Sequence, residues 1–147
     1  MNSLQNVKFV NVCHPAAIVD NADFVTGAID TAGFGKLAVI FSLGATDIAM
    51  AALKLQQSDD SGMSGAADIT GTVFGATGAP ALPSATDDNK MYAFHVSLQG
   101  KKRYIDLVAT AGNGSVGTFG SAIAVLYNGN DFDPNATDQN VGAVVYC

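Results

Sequence analysis

The chain has 147 residues and a formal net charge of −6, with 48% hydrophobic and only 14% charged residues. A chain of this length buries about 68–70% of its unfolded surface, so we expect one domain with its own core and no intrinsic disorder. The negative net charge argues against nucleic acid as a partner. No apolar stretch is long enough to span a membrane, and the first residues lack the pattern of a signal peptide.

The choice of charged and turn-forming residues favours β structure. All thirteen acidic residues are Asp, and the chain has sixteen Gly. Glu is a good helix former, whereas Asp prefers turns and helix caps. The composition therefore predicts short strands joined by turns of Asp, Gly, Asn and Ser.

Alternation of side-chain character along the chain indicates seven or so strands. The alternating or apolar segments are 7–12, 17–20, 37–43, 92–98, 104–109, 123–127 and 141–146. Because side chains on a strand point alternately to its two faces, a period of two is the signature of half-buried strands. Many short strands with turn signals between them are typical of a sandwich. We predict an all-β, antiparallel, jelly-roll-like β-sandwich in a single domain over 1–147.

The segment 46–57 is compatible with two secondary structures. Ile48 and Leu55 fit a helical stripe, and Leu53, Leu55 and Gln57 fit the alternation of a strand equally well. The flanking segments are β, and no Glu or Gln occupies the third helical position of a capping box. We therefore favour a strand.

Loops and turns divide the predicted strands. A Gly at 100 marks 99–102 as a short hairpin loop between two strong strands, and 111–120 is a Gly-rich connection. The segment 65–90 reads as a long loop with one short strand near 68–74. The residues 129–147 form a C-terminal extension.

The residues 112–117 match the GxGxxG pattern of dinucleotide-binding loops. That pattern binds a pyrophosphate only where the loop opens a helix. Here the loop leads into the strand pattern of 118–127. We interpret it as a turn and expect no cofactor.

Acidic residues in two turns are candidate metal ligands. Asp131 and Asp133 have the spacing of the first EF-hand ligands, but Gly142 replaces the bidentate Glu at the twelfth position. A looser calcium site from Asp59 and Asp60, or from Asp131 and Asp133, is one interpretation. The other is that these aspartates are solvated turn residues, with no metal bound.

No arrangement of residues for catalysis is visible. His14 and His95 are the only imidazoles, and His95 lies opposite an apolar alternation, so we expect it to face solvent or a partner. Cys13 and Cys147 are far apart, with no Cys/His cluster near them, and we expect two reduced thiols. The chain is predicted to have no catalytic residue and not to be an enzyme.

One short segment concentrates the positive charge. Lys101, Lys102 and Arg103 hold three of the seven basic residues. They are a candidate salt-sensitive contact to an acidic protein partner. The alternative is a solvated hairpin tip that also blunts edge pairing.

Apolar residues on both faces of several strands suggest subunit contacts. Val10 and Val12 oppose Val7 and Phe9 near the N-terminus, where a sandwich exposed to water would show a polar outer face. We predict a homo-oligomer. The N-terminal segment 2–12 is our candidate for subunit exchange or for contact with a larger shell.

Five segments resemble small virion-surface proteins of tailed bacteriophages. They read IDTAGF at 29–34, LAVIFSLG at 37–44, LKLQQSDD at 53–60, KKRYIDLVA at 101–109 and AIAVLY at 122–127. The resemblance covers roughly 29–128 and includes no catalytic motif.

The resemblance implies a capsid cement, or decoration, protein. Such a protein is a β-sandwich, commonly trimeric, that binds the major capsid protein on the outer surface of the head; it is made in the host cytoplasm and resides in the virion. The alternative is a carbohydrate- or receptor-binding module of a head fibre or tail that binds host glycans through its loops. Glycan sites usually display aromatic platforms, and this chain offers few residues for one. Trp is absent, and the aromatic residues in loops are Phe74, Phe119 and Phe132. This argues against the alternative.

Overall fold

The computed structural model describes residues 7–129 of the chain. Within this part the regular structure consists of strands only, and no helix is long and apolar enough to cross a membrane. The strands are β1 (Lys8–Cys13), β2 (Ile29–Asp30), β3 (Phe34–Thr46), β4 (Ala52–Ser58), β5 (Ala67–Asp68), β6 (Met91–Ser97), β7 (Tyr104–Thr110) and β8 (Thr118–Gly129).

The strands form two antiparallel sheets of four strands each. Sheet A has the order β1-β8-β3-β6, and sheet B has the order β2-β7-β4-β5. The chain pairs β1 with β8, β2 with β7, β3 with β6 and β4 with β5, which is the pattern of one long hairpin with its tip at β4–β5. Pairing of β3 with β8 and of β4 with β7 rolls this hairpin into a jelly-roll sandwich. The predicted all-β sandwich is confirmed.

The core lies between the inner faces of the two sheets. Phe41 on β3 is fully buried, and its ring meets that of Phe24 edge to face, with the centroids 5.7 Å apart. Leu55 on β4 and Leu107 on β7 face it from sheet B, as the alternation of their strands requires. Burial of these side chains is the main stabilising term of the fold.

The longest strands, β3 and β8, pair along most of their length and form the centre of sheet A. Their ladder shifts register between Leu43 and Thr46, next to the buried pair Thr46 and Thr118. The two hydroxyl oxygens lie 2.7 Å apart, and Thr46 also donates to the carbonyl of Ile48 at 2.8 Å. These bonds satisfy polar groups that burial would otherwise destabilise.

Of the other secondary-structure interpretations, two were correct in kind, one was wrong and one falls on residues outside the described part of the chain. The segment 46–57 contains a strand, β4, and the loop 65–90 contains one short strand, β5, which is shorter and earlier than expected. The segment 17–20 forms only an isolated bridge from Val19 to Thr118. The predicted strand at 141–146 and most of the extension 129–147 lie outside the described residues.

The segment 99–102 is not a hairpin loop. The strand before it, β6, belongs to sheet A and the strand after it, β7, belongs to sheet B. A Gly between two strong strands indicates a reversal of the chain, but a crossing between two sheets needs a reversal too. Lys101, Lys102 and Arg103 therefore lie at one end of the sandwich, where the chain passes from one sheet to the other.

Candidate protein-docking face

The side of sheet A that faces away from the core is a surface almost without charge. We call it the sheet A outer face. The strand pairing places the residues of this face side by side in four rows that run across the sheet. The rows are Phe9, Val125, Ala38 and His95; Asn11, Ile123, Ile40 and Ala93; Ser121, Ser42 and Met91; and Tyr127, Lys36 and Ser97.

Large apolar side chains are exposed on this face. Met91 is 72% exposed, Ile123 is 48% exposed and Phe9 is 39% exposed. Phe119 is 45% exposed and lies over Gly44, where its Cβ would be 2.9 Å from an added methyl group. A Gly at position 44 allows this close approach of β3 to the Cβ atom and the backbone of Phe119 on β8.

The charge of the two sheets is unequal. No Asp occurs in β1, β3, β6 or β8, although the chain carries a net charge of −6. The shorter strands of sheet B hold Asp30, Asp68 and Asp106. Asp68 accepts hydrogen bonds from Lys54 at 3.0 Å and from Gln56 at 2.7 Å, and these bonds lower its pKa. The outside of sheet B is thus a polar surface, as expected of a sheet in contact with water.

The four N-terminal residues predicted to make subunit contacts, Val7, Phe9, Val10 and Val12, lie in different environments. Val12 is 4% exposed and belongs to the core, and Val10 packs against the core from the edge. Val7 is buried as well. Phe9 lies on the sheet A outer face, next to Val125 of β8. Whether the N-terminal segment makes contacts between subunits remains a prediction; among these four residues, Phe9 alone has the exposure that such a contact uses.

The basic segment is largely paired within the chain. Arg103 donates from Nε to Oδ1 of Asp30 at 2.9 Å and from Nη2 to Oδ2 at 2.8 Å. This fork lowers the pKa of the Asp30 carboxyl, and the guanidinium also lies 5.2 Å from the Tyr104 ring. Lys102 pairs with Asp59 at 3.2 Å. Lys101 makes no ion pair within 7–129, so it is the member of the segment with its charge available to a partner.

The GxGxxG loop binds a carboxylate of its own chain. The backbone N–H groups of Ser115 and Val116 each donate to Oδ2 of Asp47 at 2.6 Å, and that of Gly117 donates to Oδ1 at 3.1 Å. A bound Asp thus occupies the amides that a nucleotide-binding loop would offer to phosphate. Gly117 is required because its φ is +104° and an added methyl group would lie 2.6 Å from the Val19 carbonyl oxygen. The interpretation as a structural turn is confirmed.

The acidic turn after β4 makes internal contacts. Asp60 accepts a hydrogen bond from the backbone N–H of Ser64 at 3.2 Å, and Asp59 faces Lys102. Among residues 7–129 no three acidic, His or Cys side chains come together as metal ligands would. Asp131 and Asp133 lie outside the described residues, so the calcium interpretation stays untested there.

The remaining candidate residues are separated from one another. His95 is exposed on the sheet A outer face, as predicted, whereas Cys13 is buried as a free thiol and burial raises its pKa. Asp106 is partly buried on sheet B; desolvation raises its pKa, and its Oδ1 has no hydrogen-bond partner. Cys147 lies outside the described residues. Within residues 7–129 these groups therefore lie apart from one another.

The sequence reasoning missed two features of this site. It did not identify the sheet A outer face as a unit, and it did not recognise β6 as the exposed edge of that sheet. The absence of Asp from four separate segments was a usable signal, but the segments become one surface only through their pairing. Comparison with family models, with curated protein sequences and with solved structures finds no match to this chain.

Proposed function

We propose that this chain is a structural virion protein, a capsid cement protein that attaches to the outer surface of a phage head and stabilises it. The sheet A outer face is the surface that meets the major capsid protein. The protein acts as a homo-oligomer, a trimer if the resemblance to phage head proteins extends to its symmetry. It needs no cofactor and performs no reaction.

The observation that carries this proposal is the absence of carboxylates from the strands of sheet A. An acidic protein that exposes a weakly charged sheet face with Met91, Ile123 and Phe9 on it has one surface that loses little hydration energy on docking. Interfaces differ from other surfaces chiefly by depletion of charge in their centre and enrichment in aromatic residues and Met. The polar outside of sheet B then faces water.

Binding to an assembled shell stabilises it by mass action. A ligand that binds the assembled state and not its dissociated form shifts the equilibrium toward assembly. An oligomer that contacts several capsid subunits gains avidity from modest individual contacts. A small module with one docking face and no reaction centre is sufficient for this task.

The test is co-sedimentation with heads assembled from the cognate major capsid protein. Ile123→Asp places a carboxylate in the centre of the sheet A outer face, and we expect it to weaken head binding at least about tenfold, because a charge must then be desolvated on docking. The control is Val25→Asp, since Val25 is 83% exposed and lies outside sheet A.

Equal binding by both variants and the wild type would remove the sheet A outer face from the interface. Absence of binding by the wild-type protein to intact heads would contradict the cement proposal itself. Circular dichroism establishes that both variants are folded before binding is compared.

A further inference from the structure

Within residues 7–129, one edge of strand β6 makes no backbone hydrogen bonds to another strand. Leu43 N–H donates to the Lys90 carbonyl at 2.9 Å, and Leu98 N–H donates to the Gly35 carbonyl at 3.0 Å. In an antiparallel ladder the residues that bond to the neighbouring strand alternate with residues that point away from it. The even-numbered residues of β6 therefore bond to β3.

The odd-numbered residues of β6 direct their backbone groups away from the sheet. They are Met91, Ala93, His95 and Ser97. No further backbone hydrogen bond between these residues and another segment of 7–129 is present. A cavity of about 170 Å³, lined in part by Thr72, Phe74 and Pro80, separates Ala93 and His95 from the loop that follows β5.

Apart from the neighbouring loop that carries Phe74, this edge lacks the features that usually protect edge strands from pairing. Natural sheets place Pro, Lys, bulges or very short strands at their edges. β6 has seven residues without Pro, Lys, Arg or Asp, and its register with β3 shows no shift. An edge that is long, regular and weakly charged is a template for another strand.

The two ends of β6 carry opposite charge. Asp87 and Asp88 precede the strand, and Lys101 follows it together with Lys102 and Arg103. Lys90 offsets part of the acidic end by pairing with Asp87 at 2.6 Å. Lys102 and Arg103 are paired with Asp59 and Asp30, so the charges without an ion pair within 7–129 near the two ends are Asp88 and Lys101. When two copies of β6 lie antiparallel, Asp88 of each copy comes to the same end as Lys101 of the other, and the arrangement is complementary at both ends.

We propose that two copies of this chain pair through the free edges of β6, antiparallel and about a two-fold axis at Phe94. This register places the whole of each edge opposite the other, with Ala93 beside His95 of the second copy and Met91 beside Ser97 of the second copy. Residues that face each other across a ladder lie on the same side, so the two sheet A outer faces join into one continuous face. The inference rests on the proposed homo-oligomer and specifies its contact.

Two-fold pairing builds assemblies with an even number of chains. The contact gives a dimer by itself, and a hexamer if the copies also form the trimer that the resemblance implies. Light scattering of the free protein should therefore give a mass corresponding to an even number of chains. A monomer, or a trimer unaffected by the substitutions below, would overturn the inference.

The first test removes one backbone donor from the free edge. Ala93→Pro deletes an N–H group that β3 does not use, so the strand still folds, while each pair of copies loses two intermolecular hydrogen bonds. We expect the dissociation constant of the pair to rise at least about tenfold. The control, Ala93→Ser, keeps the N–H donor and should associate like the wild type. A similar loss of association in both variants would contradict edge pairing.

The second test examines direction and register by cross-linking in a Cys147→Ser background. Opposed residues of an antiparallel ladder have Cα atoms about 5.5 Å or less apart, which is within disulfide range. Mixing Met91→Cys protein with Ser97→Cys protein should give a disulfide-linked pair. Each variant alone should not cross-link, because the two copies of one residue are then about 20 Å apart along the strand. Cross-linking of either variant alone, or none in the mixture, would overturn the proposed pairing.

A truncated chain that ends at residue 130 distinguishes the second copy from the chain's own C-terminal segment as occupant of the edge. Wild type and truncated chain should pair alike. Loss of pairing on truncation would assign the contact between copies to that segment, pairing only after truncation would assign the edge to that segment, and either result rejects the inference. The outcome is separable from that of the proposed function. Ile123→Asp lies two strands away from the free edge and should disturb head binding without changing the mass of the free protein.

Discussion

A single carboxylate, that of Asp47, organises the loop from Gly112 to Gly117. Three backbone N–H groups of this loop donate to it, with that of Val116 having the largest effect, and they lower its pKa from the ordinary value of 3.8. Glycine at 112, 114 and 117 lets the backbone approach closely, since a methyl group at any of these positions would collide with neighbouring atoms. The spacing that resembles a nucleotide motif therefore has a local structural cause.

We expect Asp47→Asn to lower the melting temperature at neutral pH and to expose the Val116 amide to hydrogen exchange. The pKa of the folded state lies below that of the unfolded state, so the carboxylate contributes stability above pH 3.8 that is lost as the pH falls through the lowered folded-state pKa. The difference between variant and wild type should therefore shrink in acid. Asp59→Asn, which loses only an exposed ion pair, is the control; a difference independent of pH would contradict this role of the carboxylate.

Among the elements, β3 lies inside sheet A, because it pairs with β6 on one side and with β8 on the other. Its alternation is visible in the sequence: Leu37, Val39, Phe41 and Leu43 are buried, and Ala38, Ile40 and Ser42 take the other face. A strand in the middle of a sheet has no free edge, so its inner side chains are held by neighbours on every side.

Phe41→Ala should lower the free energy of unfolding by about 3–5 kcal/mol, because it opens a cavity beside Phe24 and the inner residues of sheet B. Ser42→Ala, one residue along and on the opposite face, should change it by less than about 0.5 kcal/mol. Urea unfolding curves measure both. Comparable losses at the two positions would contradict the assignment of the inner and outer faces of β3.

At the scale of the whole molecule, the two sheets differ in the charge that their strands carry. The described Asp residues lie in sheet B and in the loops, whereas sheet A carries Lys8 and Lys36 and no carboxylate. The basic segment after β6 contributes little free positive charge, since Arg103 and Lys102 pair with Asp30 and Asp59. Any salt-sensitive contact of this segment should therefore depend on Lys101.

Lys101→Ser should weaken self-association and flatten its dependence on salt between about 50 mM and 500 mM, because exposed charges are screened over this range. Arg103→Ser should instead lower the melting temperature, since it leaves the Asp30 carboxylate without its bidentate partner. Light scattering and thermal unfolding of the two variants separate the effects. A salt dependence that persists in Lys101→Ser would place the electrostatic contact elsewhere.

Most strands of the sandwich were predictable, because a period of two is a property of each segment alone. The segments at 37–43, 92–98, 104–109 and 123–127 all contain strands with alternating burial. The hairpin at 99–102 was not predictable, since a turn at Gly100 has the same local chemistry whether the next strand joins the same sheet or the opposite one. The side of β1 that faces the core was not predictable for a related reason: alternation distinguishes the two faces of the strand but not which of them the core will cover.

The sequence by itself therefore determined the class of fold, an antiparallel β-sandwich built from Asp- and Gly-rich turns. Only the tertiary structure decided which strands are neighbours, and with them the face of sheet A that carries no carboxylate and the edge position of β6. The physical reason is the separation along the chain over which each kind of interaction acts. Side-chain alternation and turn chemistry act between residues close in the chain, whereas the pairing of β1 with β8 and of β3 with β6 depends on how distant segments bury their apolar faces together.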